Sequence, residues 1–370
     1  MNKKLFFDCK KLLKKFIDRG YFKSFNSGDI FYFVRKNSAD SMFTFVETMI
    51  DDSFVGQLFM GPESFNYVHD ILTSNSTGVT IYDCNAILFS LKTKNEMTDF
   101  DKTYYHDNNM RVMEELNLVI YRYYPGKRIQ MANDLEITEL YKHLSYLNSI
   151  IEAEFDRIID AFSKELCVYS IIDDENYTYE MILRPLPYLE TKSRLNKVNN
   201  EFVLEFKNMD FQNSECYLFL SYMPLVIKEK NIRPLMIYLY YPNLNKHLFK
   251  YMTEPFNKNK NMLYGILDEA FNEYGKPYKM YINNRYAYAY LHKTLNELNI
   301  ENEFLREEKK TDENIGLLMS SLYSSTNLDE IIEEETFVSN LMDVISSTIN
   351  ILNDENKDDE DLTPKEELIS

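Results

Sequence analysis

Residues 271–304, FNEYGKPYKMYINNRYAYAYLHKTLNELNIENEF, constrain the fold of this chain more than any other stretch. A run with apolar residues at helical spacing ends at Gly275 and Pro277, which punctuate the chain, and a short strand-like run follows. A second amphipathic run then leads to another strand-like run. Because each helical run has one apolar face, both can cover the same sheet. We therefore predict a sheet with covering helices in the C-terminal half of the chain.

The length of 370 residues indicates two domains, because single hydrophobic cores stop growing at roughly 250–300 residues. We predict an α+β protein. Residues 1–165 are expected to form an N-terminal α+β domain, an antiparallel meander with helices. Residues 166–327 are expected to form a C-terminal α/β domain with a mixed sheet. Residues 328–353 are predicted to be an amphipathic helix, and residues 354–370 a disordered acidic tail.

Within these domains, local patterns predict several individual elements. Residues 5–17 carry apolar side chains at helical spacing and are predicted to form an amphipathic helix. Residues 110–117 (MRVMEELN) are also predicted helical. The aromatic and branched residues of 201–206 (EFVLEF) favour a strand. Residues 236–242 (MIYLYYP) are interpreted as the first strand of a hairpin that precedes the two C-terminal helices.

The charge of the chain is concentrated at its C-terminal end. The net charge is −18, and residues 301–370 hold 20 acidic and 5 basic side chains, which leaves a net charge of −3 on residues 1–300. A protein that binds duplex nucleic acid normally shows a basic surface. The charge therefore favours a protein partner over nucleic acid.

The remaining bulk features argue against membranes and common cofactors. No segment approaches the ~20 apolar residues of a membrane span. Four scattered cysteines without C-x-x-C spacing indicate reduced thiols and a cytoplasmic protein. The sequence has neither a G-x-G-x-x-G nor a P-loop motif, and its five histidines are dispersed and interpreted as structural. We predict no cofactor and no metal site.

Nine short patterns follow one another along the chain. They are DIFYFVR, FVGQLFMGPESF, NEMTDFDK, YYPGKRIQ, LRPLPYL, YMPLVI, IRPLMIYL, EYGKPYKMYINN and LNELNIENEF. In this order they resemble a group of uncharacterised bacterial proteins that pair two domains of unknown function. The resemblance spans most of residues 1–320 and implies a two-domain layout. It supplies no activity.

The order hairpin, helix, strand, helix, strand from about residue 232 resembles a reduced ribonuclease-H or integrase-type layout. Such enzymes need clustered carboxylates to hold two divalent metals. Here the strand MIYLYYP has no acid, and the strand after the first helix ends at Asn283 and Asn284, whose neutral amides bind Mg²⁺ weakly. The nearest acids lie on the covering helix, at Asp268, Glu269 and Glu273. The pattern therefore argues against a nuclease, and we lean towards a protein that is not an enzyme.

Cationic and aromatic residues interleave in the same stretch, among them Lys276, Lys279, Arg285 and Tyr286. Aromatic stacking combined with cations is how proteins bind single-stranded nucleic acid. However, the chain has 29 tyrosines, and tyrosine is a common residue of strands and covering helices. These four residues form a candidate nucleic-acid site, which is the less favoured alternative.

The C-terminal extension carries one more apolar stripe. Its members are Val338, Leu341, Ile345, Ile349 and Leu352. A helix with such a stripe needs an apolar surface, which the protein's own sheet, a partner protein or a second copy can provide. We predict that the protein binds another macromolecule rather than catalyses a reaction. The alternative is a nucleic-acid-binding protein or metal-dependent nuclease built on the C-terminal domain.

Overall fold

The computed structural model has helices and mixed sheets, which confirms the α+β class. It describes residues 1–26, 28–35, 40–47, 54–61, 64–65, 67–68, 81–173, 178–185, 197–253, 259–305, 330–337, 339–341 and 343. The chain divides into two compact units. The first contains Met1–Ser74, Val79–Pro125 and Ile129–Lys192, and the second contains Asn75–Gly78, Gly126–Arg128 and Ser193–Ser370.

The first unit is built on an eight-stranded sheet. Its strands are β1 (Ile30–Arg35), β2 (Ser41–Glu47), β3 (Phe54–Met60), β4 (Ala86–Lys92), β5 (Asn117–Tyr123), β6 (Gln130–Met131), β7 (Cys167–Asp173) and β8 (Thr178–Arg184). The spatial order is β6-β5-β4-β3-β2-β1-β7-β8. Strands β1 to β6 form the predicted antiparallel meander, β7 joins β1 in parallel, and β8 pairs antiparallel with β7.

Two helices, α1 (Lys3–Asp18) and α3 (Asp134–Phe162), pack with one face of this sheet. Helix α1 confirms the predicted amphipathic helix, since it buries Phe6, Cys9, Leu13 and Phe16 at helical spacing. Helix α3 begins with a capping box. The Asn133 side chain accepts from the Glu136 N–H, and the Glu136 side chain accepts from the Asn133 N–H. The sequence pattern therefore sets both the covering faces and the start of α3.

The helix predicted over residues 110–117 lies elsewhere. Helix α2 (Asp99–Asp107) precedes that range and starts at a capping box between Thr98 and Asp101. It ends before Asn109, whose φ of 49° lies in the left-handed region that stops helices. The prediction was wrong because the cap residues, rather than the apolar pattern after them, determine the position of this helix.

The predicted domain boundary near residue 165 is also displaced. The predicted boundary places β7 and β8 in the second domain, but β7 pairs with β1 and places Tyr169 opposite Tyr32. The first unit therefore extends to Lys192. Strand patterns alone do not reveal which sheet a strand joins, because this pairing spans more than 130 residues of sequence.

The second unit is built on a five-stranded mixed sheet. Its strands are β9 (Phe211–Tyr222), β11 (Leu235–Tyr241), β12 (Lys246–Met252), β13 (Lys276–Ile282) and β14 (Glu301–Phe304), in the spatial order β12-β11-β9-β13-β14. Strands β9, β11 and β12 are antiparallel, whereas β13 and β14 run parallel to β9. A separate two-stranded parallel ladder joins β10 (Val226–Ile227) to β15 (Ile331–Ile332).

Three helices belong to this unit: α4 (Asn200–Phe206), α5 (Met262–Tyr274) and α6 (Arg285–Glu297). The strand predicted over residues 201–206 was wrong, because this range forms α4. Asn199 caps it, and the spacing of its buried aromatic residues suits a helix face. Helices α5 and α6 confirm the two helices predicted from residues 271–304 and the segment before them.

The strand predicted over residues 236–242 corresponds to β11 and is not adjacent to β13. Strand β9 lies between β11 and β13 and is the central strand. The end of β13 therefore lies beside residues of β9 and not beside those of β11.

Candidate interaction surface

One face of the second unit's sheet is lined by aromatic rings. The residues are Tyr217 and Phe219 of β9, Tyr238 and Tyr240 of β11, His247, Phe249 and Tyr251 of β12, and Tyr281 of β13, together called the aromatic face. Side chains alternate along a strand, so the intervening residues of β9 and β11 point to the other side. On that side Tyr241 meets Tyr274 of α5 edge to face at 5.6 Å. The aromatic face is therefore the face that α5 does not cover.

The rings stack because the strand register places them directly opposite one another. Tyr238 of β11 pairs with Phe249 of β12, and their centroids lie 4.3 Å apart at 15°. Tyr217 of β9 pairs with Tyr281 of β13, with centroids 4.7 Å apart at 20°. Direct cross-strand aromatic pairs contribute favourably to a sheet. These rings belong to one apolar cluster of the second unit.

The C-terminal segment, by which we mean the described residues 330–337, 339–341 and 343, docks within the second unit. It begins by adding β15 to β10 as a parallel ladder. Val226 N–H donates to the Glu330 carbonyl at 2.7 Å, and Lys228 N–H donates to the Ile332 carbonyl at 2.9 Å. Helical residues follow from 334. Residues 331–332 lie at the start of the helix predicted over 328–353 and form a strand instead, because they add to β10, so the prediction was wrong there. Residues 354–370 lie outside the described residues.

Two side chains of the C-terminal segment pack against the aromatic face. Phe337 is 2% exposed and Leu341 is 7% exposed, and both belong to the same apolar cluster as Tyr238 and Phe219. The Phe337 ring meets the Tyr251 ring edge to face at 5.3 Å. The two residues are four positions apart and therefore lie on one helix face. The segment contributes a buried two-residue anchor.

The predicted apolar stripe is described at one of its members, Leu341, which is buried as expected. The others, Val338, Ile345, Ile349 and Leu352, have side chains outside the described part of the chain. Phe337 was not predicted as a contact. The signal for it was available, since Phe337 and Leu341 have the i, i+4 spacing of a helix face.

Opposite charges flank this anchor. Lys228 pairs with Glu333, and Lys230 pairs with Glu334 at 2.9 Å while also donating to the Thr253 hydroxyl at 2.6 Å. Hydrogen bonding to Glu229 and then to Lys228 lowers the pKa of Glu333. These groups are exposed enough for salt to screen them. The two ion pairs therefore orient the segment but contribute little to its binding free energy.

The cations proposed for nucleic-acid contact have partners inside the protein. Lys276 is 2% exposed, and its ammonium donates to the Phe206 carbonyl at 3.2 Å and lies 4.2 Å from the Phe211 ring centroid. Burial lowers its pKa. Engaging a phosphate would require this side chain to leave its buried position.

Lys279 and Arg285 are similarly engaged. Lys279 Nζ donates to Glu301 at 2.7 Å and to Glu303 at 2.9 Å, and these bonds raise its pKa. Arg285 is 7% exposed, and its guanidinium lies 5.1 Å from the Phe304 ring centroid. Tyr286 is half-buried in the first turn of α6. The four residues do not form an exposed basic surface.

The amides at the end of β13 have structural roles. Asn283 Oδ1 accepts from the Leu220 N–H at 2.8 Å, which ties the end of β13 to β9. Asn284 Oδ1 accepts from the N–H groups of Tyr286 and Ala287, at 3.0 and 3.2 Å, and caps α6. Both side chains are buried. Their oxygen atoms are already used as acceptors by backbone groups.

The acids of this unit are dispersed. Glu269 of α5 pairs with Lys250 at 2.9 Å. Glu215 of β9, which sequence reasoning overlooked because β9 was not recognised as the central strand, accepts from the Tyr278 hydroxyl at 3.0 Å. Among the residues that the structure describes, no group of three acidic, histidine or cysteine side chains could hold a metal ion.

A serine–histidine contact in the first unit was not predicted. Ser41 Oγ lies 2.6 Å from His143 Nε2, and His143 Nδ1 lies 2.8 Å from the Glu139 carbonyl oxygen and 3.5 Å from its carboxylate. These residue types are those of a catalytic triad, with a serine nucleophile, a histidine base and an acid that orients the histidine. Ser41 and His143 are each 2% exposed, so no substrate reaches the hydroxyl in this conformation. The contact is a buried hydrogen-bond network of the core.

No family model, curated protein or solved structure matches this chain. The resemblance to paired bacterial domains and the ribonuclease-H-like layout therefore stay predictions. No helix within the described ranges combines the length and apolar character needed to span a membrane.

Proposed function

We propose that this protein acts by binding another protein and that it is not an enzyme. The binding surface is the aromatic face together with the edge of β10, and the ligand is a short acidic segment that forms a strand and then a helix turn. One observation carries the proposal: the C-terminal segment of the chain itself binds there, through the β10–β15 ladder and the anchors Phe337 and Leu341.

This mode of binding combines two common forms of peptide recognition. Strand addition supplies backbone hydrogen bonds, and a helix face supplies apolar anchors. Lys228 and Lys230 complement an acidic flank, which favours acidic ligands and speeds their approach at low salt. A partner segment of the same chemistry would fit the same surface.

The internal ligand makes the protein self-regulating. A tethered segment binds intramolecularly and needs no second molecule, so a partner has to compete with it. Conditions that weaken the segment's docking raise the fraction of protein that is open to a partner. Cytoplasmic residence belongs to the same proposal and is supported by four free, buried cysteines.

Partner capture by the full-length protein tests this proposal. Phe337→Asp with Leu341→Asp removes the anchors, whereas Thr336→Asp with Asn340→Asp changes two exposed neighbours by the same charge. The first pair should retain a protein from the host lysate that wild type and the second pair retain weakly. A peptide of residues 329–345 should release it. Equal capture by both pairs, or no release by the peptide, would contradict the proposal.

Nucleic-acid binding or metal-dependent cleavage by the second unit is the less supported alternative. Lys276 and Lys279 have internal partners, and Asn283 and Asn284 serve backbone groups. We expect no cleavage of DNA or RNA with Mg²⁺ or Mn²⁺. Oligonucleotide binding that is lost in Lys279→Ala would support the alternative.

A further inference from the structure

Strand β8 forms one edge of the first unit's sheet. It pairs with β7 along its whole length, from Thr178 to Arg184, and within the described residues it has no strand on its other side. An edge strand presents unpaired backbone N–H and C=O groups, which are a template for another strand. Natural proteins protect such edges with prolines, charged side chains or bulges.

The side chains of β8 make it suitable for pairing with itself. Glu180, Ile182 and Arg184 lie on one face and are exposed, and Ile182 is 38% exposed. Met181 and Leu183 lie on the other face and pack against the apolar core under α1 and α3. The two charges have opposite signs and are equally far from Ile182. This arrangement does not repel a second copy of the strand.

We propose that the protein forms a homodimer in which β8 pairs antiparallel with β8 of a second copy, about a two-fold axis at Ile182. In this register Glu180 of each copy lies opposite Arg184 of the other copy, and Met181 of each copy lies opposite Leu183 of the other. Ile182 lies opposite its own copy. Opposite-charge and apolar cross-strand pairs stabilise antiparallel ladders. Isologous contacts of this kind close after two copies.

Three neighbouring features support the same register. The Arg184 guanidinium lies 3.7 Å from the Tyr169 ring centroid, which holds it on the face that Glu180 of the second copy would share. Ile171 of β7 is 42% exposed, so it would extend the apolar contact around the Ile182 pair. Pro185 lacks an N–H donor and limits the ladder to the five residues around the axis.

Charge exchange tests the pairing. Wild type should sediment at twice the 44.1 kDa chain mass. Glu180→Arg and Arg184→Glu should each lose the dimer, since each places like charges opposite one another. The double variant should regain it, because both pairs are restored with reversed sign. A monomeric wild type, single variants that stay dimeric, or a double variant that stays monomeric would each overturn the proposal.

Cross-linking tests the register independently of folding defects. Ile182→Cys places two thiols directly opposite each other, so mild oxidation should join two chains. Glu180→Cys is the matched control, because the two thiols would lie about 13 Å apart along the ladder. The four native cysteines are buried and should not contribute. Equal cross-linking of both variants, or no cross-linking of Ile182→Cys, would contradict this register.

Discussion

Truncation of the Phe337 side chain should release the C-terminal segment without unfolding the second unit. The ring is 2% exposed and contacts Tyr251 at 5.3 Å. Buried Phe→Ala changes cost about 3–5 kcal/mol. The segment can undock instead of leaving a cavity, so we expect the lower value. A loss of about 3 kcal/mol raises the undocked population by roughly 100-fold.

Hydrogen exchange at β10 measures this change directly. The N–H groups of Val226 and Lys228 donate to the C-terminal segment, whereas Ile227 N–H between them donates to the Ile232 carbonyl at 2.9 Å. In Phe337→Ala the first two amides should exchange roughly 100-fold faster, in line with the undocked population. The Ile227 amide should change little.

The exposed neighbour provides the control. Thr336→Ala alters the same helix turn on its exposed side and should leave both reporter amides near their wild-type rates. Unchanged exchange at Val226 and Lys228 in Phe337→Ala would refute the anchoring role. Equal acceleration at Ile227 would show that the whole unit is destabilised and that the segment is an integral part of its core.

Three further outcomes are expected. Asn284→Ala should lower the free energy of unfolding in urea by about 1 kcal/mol because α6 loses its cap, while Asn284→Asp should retain most of it. Burial raises the pKa of the Cys9 and Cys167 thiols to about 12. These thiols therefore stabilise the folded state fully below their unfolded pKa of about 8.5, and this contribution declines as pH rises towards 12. Urea titrations across this pH range should show the decline in the free energy of unfolding. Lys228→Glu with Lys230→Glu should accelerate exchange of the β10 amides that donate to the C-terminal segment, and the effect should shrink at high salt.

Local patterns predicted the elements whose signals lie within a few residues. The amphipathic faces of α1, α5 and α6 and the antiparallel meander were all readable from periodicity. Two errors arose where a cap competes with an apolar pattern. Thr98 and Asp101 start α2 ahead of its predicted position, and Asn199 starts a helix in a segment with strand-like composition.

Long-range pairing explains what the sequence did not reveal. The parallel contact of β7 with β1 moves the domain boundary, and the central position of β9 brings Glu215 beside β13. Neither follows from local periodicity, because each depends on which distant strands share a sheet. The apolar stripe predicted that Leu341 packs against an apolar surface. That surface is formed by side chains of β9, β11, β12 and β13, and the register of these four strands does not follow from the stripe.

If the aromatic face and β10 bind a strand–helix segment, they should also bind that segment when it is supplied as a separate peptide. A fluorescent peptide of residues 329–345 is titrated with full-length protein that carries Phe337→Asp and Leu341→Asp, and its anisotropy is measured. We expect saturable binding to this variant, much weaker binding to wild type, whose surface is occupied, and none for a peptide that carries the same two changes. No binding to the variant, or equal binding to the variant and wild type, would contradict this expectation.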